Sequence, residues 1–406
     1  MTDGPRTGSS ARLRLGVAGL GRAFMLMLPT FAAHARVHVV AAADPRSEAR
    51  ERFAADFGGR TYATVDALAD DPDVDALYIA SPHQFHAEHV VAAARRGKHV
   101  LVEKPMAVTL AECDAMIEAA RAGGVRLIVG HSHSFDAPIL HTRALIESGA
   151  FGRVRMITAA YYTDFLYRPR RPEELDTARG GGVVFSQGAH QIDVVRLLAG
   201  GDARSVRAMT GAWDPARPTE GAYSALLTFA DGAFATLTYS GYAHFDGDEL
   251  CGGIGELGHR KVPGRYGVAR ALTAGPLSGG QEAALKTARM YGSTNESIAR
   301  PDAHNHFGLV IVSCDRADLR PMPDGVAIYG DDARRFDALA PPSVPRAEVL
   351  DELCDAVMGL RVPVHTGEWA RATLEVCLAL LASSRQGTEI ALTRQVALAP
   401  AAAGVR

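Results

Sequence analysis

Lys104 is the residue of this chain best placed to move a proton. It sits near the end of Lys98-His-Val-Leu-Val-Glu-Lys-Pro-Met106, where Val100 to Val102 reads as a buried strand that stops at Pro105, because proline cannot continue a sheet ladder. Glu103 and Lys104 therefore fall at the carboxyl edge of a sheet, where open α/β sheets take their ligands. A solvated lysine at a strand end would explain an isolated Glu-Lys-Pro just as well. Other residues arrive at the same place, however. Gly19, Asp44, Pro82, His83, Glu103, Lys104 and His131 each fall just after a predicted strand, and in a parallel sheet such ends share one edge.

The strands that deliver them alternate with helical patterns from Arg12 onward, as in βαβ units. Leu13 to Ala18 runs into Gly19-Leu-Gly-Arg-Ala-Phe24. Two glycines at a strand-to-helix turn let the backbone approach a pyrophosphate at the helix start. Gly19, Leu20, Gly21, Arg22, Ala23 and Phe24 are thus the candidate dinucleotide loop, although Phe24 stands where G-x-G-x-x-G has a small residue. The strand Val37 to Ala43 ends in Asp44, close to the spacing of ~20 residues expected for the acid that holds the adenosine ribose. A carboxylate there favours NAD, and Arg46 keeps NADP open. Ala76 to Ala80 leads to Ser81 as a helix cap and Pro82 as the first helical residue. His83, His86 and His89 follow, better suited to a ribose or nicotinamide than to a metal, because no acid or cysteine stands at a ligand spacing. Arg126 to Val129 leads into Gly130-His-Ser-His133.

Beyond His133 the pattern changes. Pro138 to Ser148 reads as a connecting helix, and longer strands follow at Val154 to Tyr162, Ser205 to Trp213, Ala225 to Phe229 and Ala233 to Tyr239. The last two flank Asp231-Gly232, a hairpin signal. Hairpin-joined strands predict a mostly antiparallel sheet, hence a separate α+β domain. The expected organisation is a tail over 1–11, a dinucleotide domain over 12–134 and a substrate domain over 135–399, with an excursion at about 247–302. Leu309 to Val312 and Val326 to Tyr329 read as a second hairpin, Glu348 to Met358 and Glu368 to Arg385 as helices, and a last strand lies near Glu389.

Two stretches of the second half carry chemistry. Gly180-Gly-Gly182 precedes a helix in which Ser186, His190 and Asp193 share one face. That face reads as solvated surface unless the glycines mark a close backbone approach. Phe165-Leu-Tyr-Arg-Pro-Arg-Arg171 sets aromatics among Arg168, Arg170 and Arg171. Guanidinium forks match carboxylates, so the loop suits a planar carboxylate ligand, with a basic surface loop as the plain alternative.

At 406 residues the chain has room for two full cores, and its 47% hydrophobic and 22% charged residues are those of an ordinary globular protein. A net charge of −3 gives no electrostatic case for nucleic acid or an anionic membrane. The cysteines lack any C-x-x-C spacing, which predicts reduced thiols in a cytoplasmic protein and no zinc site. No apolar run is long enough for a signal peptide or a membrane span.

Together, Gly19-Leu-Gly21, Gly97-Lys-His-Val100 leading into Glu103-Lys-Pro105, and Gly180-Gly-Gly182 with Gly188-Ala-His190 resemble the Gfo/Idh/MocA family of nicotinamide-dependent oxidoreductases. The likeness covers nearly the whole chain from Arg12. It implies an α/β protein with an N-terminal Rossmann domain and a second domain built on a large, mostly antiparallel open sheet. It also implies an NAD cofactor, with NADP possible, and Lys104 and His190 facing the nicotinamide as the catalytic pair. The open sheet commonly joins family members into homodimers or homotetramers. Ser186 stands where the family often has Asp, and His83 where it often has Asn, which implies different substrate chemistry.

Within the family, Ser81-Pro-His-Gln-Phe-His86, Gly130-His-Ser-His-Ser-Phe-Asp136 and Tyr167-Arg-Pro-Arg-Arg-Pro-Glu-Glu174 resemble the branch that oxidises phthalate cis-dihydrodiols to catechols. That branch implies a small aromatic dihydrodiol carboxylate as substrate. Its candidate contacts are His131, His133, Tyr167, Arg168, Arg170, Arg171, Ser186, Gln187 and His190. The competing expectations are a sugar or inositol dehydrogenase of the same family, a non-catalytic NAD-binding sensor, and a zinc hydrolase using His131, His133, His304 and His306.

Overall fold

The computed structural model describes residues 12–398 apart from 265–266, 274–278 and 294–298, so the expected tail over 1–11 lies outside the described residues. The first sheet contains β1 (Leu13–Ala18), β2 (Val37–Ala43), β3 (Arg60–Tyr62), β4 (Ala76–Ile79), β5 (His99–Val102) and β6 (Leu127–Val129). All its pairings are parallel, in the order β3-β2-β1-β4-β5-β6, that of a doubly wound dinucleotide fold. All of β4 and most of β5 is buried, because helices cover both faces of such a sheet. Register aligns the strand ends: Ala43, Ala18, Ile79, Val102 and Val129 pair in one row. Asp44, Gly19, Ala80, Glu103 and Gly130 therefore leave the sheet at one level.

The second sheet contains β7 (Val154–Tyr162), β8 (Ala203–Gly211), β9 (Ala222–Phe229), β10 (Phe234–Ser240), β11 (Leu309–Cys314), β12 (Ala317–Met322), β13 (Gly325–Gly330), β14 (Arg334–Ala338) and β15 (Ile390–Ala391). Its order is β14-β13-β12-β11-β7-β10-β9-β8-β15, antiparallel except where β7 meets β10. Alternation is plain in it. Ile157, Ala159, Leu237 and Tyr239 are buried on the side of the helices Ala189–Leu198 and Gly367–Gln386, while Met209, Leu226 and Phe234 are exposed.

Three sequence expectations change here. The hairpin at Asp324 joins β12 to β13, not the strand at Leu309. Asp318, Arg320 and Pro321 hide β12, yet Ala317, Leu319 and Pro321 alternate inward. The charged β14 also escaped notice; arginines along an edge strand deter further pairing. Pro82 precedes a single 3-10 turn, His83–Phe85, and the α-helix starts at His86. Ser81 Oγ meets His89 Nδ1 at 2.9 Å instead of capping that helix.

The helix Ala189–Leu198 is buried at every position, so its polar face is not solvated surface. Asp193 accepts the Trp369 Nε1–H at 2.6 Å and the Thr373 hydroxyl at 2.9 Å, and also the hydroxyl of Ser134. The carboxylate thereby ties the segment after β6 to the long C-terminal helix. Asp193→Ala should lower unfolding stability by about 3 kcal/mol, since a buried charge's partners lose their acceptor. Denaturant titration measures it, and an unchanged midpoint would contradict the assignment.

Candidate active site

The glycine turn is built by close approach. Gly19 has φ +100°, and a Cβ there would lie 2.8 Å from Ala80 O and Ser81 N, so β1 and β4 converge only if residue 19 is glycine. At Gly21 an added Cβ meets nothing within 4 Å. The helix Arg22–Ala33 that follows carries neither a side-chain cap nor an acid in its first turn. No side-chain cap or acid competes there with a diphosphate, and the turn fits the pyrophosphate of a dinucleotide. Gly19→Ala should weaken NADH binding at least about tenfold, because the turn must shift to accept a side chain. Titration of NADH fluorescence would show it, and unchanged affinity would move the pyrophosphate elsewhere.

Behind this turn, Asp44 accepts the Leu20 N–H at 2.8 Å and the Arg46 N–H at 2.9 Å, and its carboxylate pairs with the Arg46 guanidinium at 3.0 Å. Arg46 also reaches Leu20 O at 2.8 Å and Tyr291 O at 3.2 Å. Both side chains brace the loop, because a carboxylate buried to this degree needs a cation beside it. The assignment of Phe24 to the cofactor is corrected. Its side chain is fully buried among Phe31, Phe53, Phe57 and Tyr291, which is why a large ring replaces the small residue. The assignment of Leu20 is corrected too, because its side chain is buried and Asp44 and Arg46 take its N–H and carbonyl.

A cleft of about 800 Å³ separates the strand ends from the second domain. Arg22, Ala23, Ser81, Pro82 and His83 line one end of it, and Glu103, Lys104 and His131 its floor. Lys104 Nζ donates to Ser186 O at 2.8 Å. Burial lowers the Lys104 pKa, with Glu103 opposing. Glu103 is turned aside: it accepts the Tyr78 hydroxyl at 2.6 Å, and burial raises its own pKa. Across the cleft His190 is buried, and its Nδ1 has no hydrogen-bond partner. Burial, then the charge on Lys104, hold His190 well below the usual histidine range, so the ring is a neutral base at neutral pH.

The remaining expected residues divide. His86 presents both ring nitrogens to main-chain carbonyls, Ser81 O at 2.9 Å and Pro105 O at 3.0 Å. It therefore braces two strand-end loops, and the cofactor role expected of it is corrected. His83 reaches Arg179 O at 3.0 Å across the cleft, and a Cβ on Gly180 would sit 3.0 Å from its Nε2. The close approach expected of the triple glycine is thus to the protein itself. Gly182 lies against Glu220, whose carboxylate accepts the Val184 N–H at 3.2 Å. Ser186, in the π-turn Val184–Gly188, donates its hydroxyl to Gly182 O. Gln187 accepts from the Tyr239 hydroxyl at 3.3 Å, and Ser186 and Gln187 line the cleft.

Arg168 and Arg170 line the cleft as well. Arg168 pairs with Glu256 at 3.3 Å. Arg170 lies 3.7 Å over the Phe165 ring and keeps a buried Nε without a partner. Arg171 and Tyr167 do not line the cleft, which corrects their assignment. The 3-10 turn Phe165–Tyr167 sends Tyr167 beneath Arg270, while Arg171 gives its backbone N–H to Glu174 and turns its guanidinium to Met290. His133 lies behind the cleft wall. Asp136 holds its Nδ1 at 2.7 Å and His131 Nε2 at 3.2 Å. Burial takes the His131 pKa down to about 3. For His133 burial is outweighed by Asp136 and Glu256, and the pKa rises.

The histidines proposed for zinc do not converge. His304 and His306 meet the carbonyls of Ala340 and Ile254, each at 2.8 Å. Among the described residues no group of three His, Cys, Asp or Glu side chains is placed to hold a metal. A serine triad is mimicked by Ser134, His365 Nε2 at 2.8 Å and Glu352 at 2.9 Å from His365 Nδ1. Ser134 is fully buried and gives its hydroxyl to Asp193, so this set is a structural tie. Sequence reading missed Glu256, whose only trace is a lone acid between glycine-rich turns.

A parallel dinucleotide sheet with a half-buried lysine at its carboxyl edge, roofed by a neutral histidine from a second domain, defines a nicotinamide-dependent oxidoreductase. Residues 13–131 match the family described as oxidoreductase family, NAD-binding Rossmann fold, and residues 139–257 match the GFO/IDH/MocA C-terminal domain. The chain belongs to the Gfo/Idh/MocA family. It is 49% identical to 1-carboxy-3-chloro-3,4-dihydroxycyclohexa-1,5-diene dehydrogenase of Comamonas testosteroni, over 91% of this chain and 94% of that one. Inositol 2-dehydrogenase 2 of Saccharopolyspora erythraea is 32% identical over 49% of this chain and 57% of its own length. A crystal structure from Bordetella bronchiseptica RB50 superposes with a TM-score of 0.89 at 43% identity, covering 94% of this chain and all of that one.

Proposed function

We propose that this dehydrogenase oxidises the cis-dihydrodiol of a cyclohexadiene carboxylate to a catechol, with 4,5-dihydro-4,5-dihydroxyphthalate as the particular substrate. One observation carries the reading: Arg168 and Arg170 share a cleft with Lys104 and His190. Arginines recognise carboxylates by paired hydrogen bonds, and a neutral polyol offers them no charge to pair with. The Comamonas testosteroni relative is named for a ring bearing one carboxyl and two hydroxyls. The arginine-rich stretch Tyr167 to Glu174, resembling phthalate 4,5-cis-dihydrodiol dehydrogenase, supports the dicarboxylate.

A bound nicotinamide supplies the hydride acceptor, held by the Gly19–Gly21 turn and the start of the helix Arg22–Ala33. The chain's own residues handle the proton. Lys104 Nζ, fixed on Ser186 O, is the base for the reacting hydroxyl, and the partnerless Nδ1 of His190 assists it. Burial shifts the Lys104 pKa toward the neutral amine that general-base catalysis requires. The arginines hold the ring carboxylates and so orient the carbinol carbon. Asp44 stands at the position of a ribose-binding acid, which supports NAD, while the Arg46 guanidinium paired with it keeps NADP open. Exposed Met209, Leu226 and Phe234 on the open sheet support a homodimer or homotetramer. The cysteines Cys113, Cys251, Cys314, Cys354 and Cys377 are all unpaired thiols, which supports a cytoplasmic enzyme. No helix among the described residues is long and apolar enough to cross a membrane.

The test is a panel of the phthalate dihydrodiol, the chlorinated monocarboxylate dihydrodiol, inositol and hexoses, each with NAD and NADP, followed by reduced-cofactor absorbance. The phthalate dihydrodiol with NAD should give the highest kcat/KM. Preference for inositol or a hexose would overturn the reading.

A further inference from the structure

We infer that Glu256 is an exchangeable counter-ion: it occupies Arg168 until the carboxylate of a ring substrate takes that guanidinium over. The inference rests on the carboxylate reading above and adds the residue that enforces it. Glu256 is part-buried on the cleft wall, with one oxygen 3.3 Å from Arg168 Nη2 and the other 3.7 Å from His133 Nε2. His133 is fixed on its far side by Asp136 at 2.7 Å, and its ring stands edge-on to His190 with centroids 4.7 Å apart. A line of charged and polar groups thus runs from the substrate-facing arginine to the base.

Glu256 holds Arg168 through Nη2, so a carboxylate that arrives at that edge meets a like charge and binds better when Glu256 withdraws. The displaced group has somewhere to go. A gap of 3.7 Å to His133 closes to a hydrogen bond by a small side-chain rotation. Asp136, Glu256, His131 and His190 surround the His133 ring, and Lys104 and Arg346 face His190 with it. Moving Glu256 toward His133 also reduces the positive charge that His190 faces. A neutral diol leaves the Arg168–Glu256 pair intact and gains nothing from that wall. Selection for an anionic ring then comes from an internal competitor as well as from the arginine.

The experiment titrates 4,5-dihydroxyphthalate and catechol, by calorimetry, into wild type, Glu256→Gln and Glu256→Asp, each saturated with NADH. Glu256→Gln should bind the dihydroxyphthalate about tenfold tighter, with catechol affinity within about twofold of wild type. Glu256→Asp, which keeps the charge but draws it back from Arg168, should tighten binding by about threefold and serves if the glutamine variant does not fold. A lesion in the fold weakens binding, so only removal of a competitor gives a gain. If wild type binds dihydroxyphthalate and neither folded variant tightens, the counter-ion role is wrong and the carboxylate reading stands. If wild type binds no dihydroxyphthalate, both fall.

Discussion

Lys104→Ala should cut kcat by about a thousandfold while leaving NADH affinity within about twofold of wild type. The loss is this large because Lys104 combines two properties at one atom. Its Nζ is fixed at 2.8 Å from Ser186 O, so the amine is already oriented and no side-chain freedom is lost at the moment of reaction. Burial lowers its pKa, which raises the share of neutral amine able to accept a proton. Glu103 would undo that if it faced the amine, but it accepts the Tyr78 hydroxyl at 2.6 Å instead. Cofactor binding is spared because the pyrophosphate site is built from the Gly19–Gly21 backbone. Steady-state rates and NADH fluorescence titration separate the two effects. A variant that turns over at the wild-type rate would remove Lys104 from the chemistry.

Arg168→Ala should raise KM for the carboxylate dihydrodiol by about a hundredfold and change kcat by less than about fivefold. A lost charge-assisted pair accounts for about 2–3 kcal/mol. Here a second effect adds to it, since Glu256 loses its cationic partner at 3.3 Å and its charge then faces the incoming carboxylate. Arg170, stacked on Phe165 at 3.7 Å, stays in place and keeps the ring oriented, which is why kcat is spared. Initial-rate kinetics over a wide substrate range measure the split. An unchanged KM would place the carboxylate site elsewhere in the cleft, and a fall in kcat with KM unchanged would give Arg168 a role in the transition state.

The parts of this site that chemistry writes into short spacings were legible from sequence. Gly19 at a strand end, Pro105 after an apolar run, and Gly180 and Gly182 before the helix of His190 each mark a backbone requirement that few other residues meet. Strand ends that share an edge follow from parallel topology alone, and the register of Ala43, Ala18, Ile79, Val102 and Val129 realises it. What was hidden depends on partners distant in sequence. Phe24 looked like part of a nucleotide loop, and its packing against Phe53, Phe57 and, at 5.0 Å from a remote segment, Tyr291 shows it to be core. His86 has the type and place of a ligand, but main-chain carbonyls at 2.9 and 3.0 Å take both its nitrogens. The buried helix Ala189–Leu198 read as amphipathic because Asp193 is polar; its acceptors serve Trp369 and Thr373 from the far end of the chain. Glu256 lies in a stretch without periodicity, so no pattern could announce it.

The most direct measurement is a crystal structure of the enzyme with NAD and the catechol carboxylate product bound. It should show one product hydroxyl within hydrogen-bond reach of Lys104 Nζ and His190 Nδ1, the ring between them and the glycine turn, and a carboxylate on Arg168. A product whose hydroxyls face bulk water, with its carboxylate away from Arg168 and Arg170, would contradict the account.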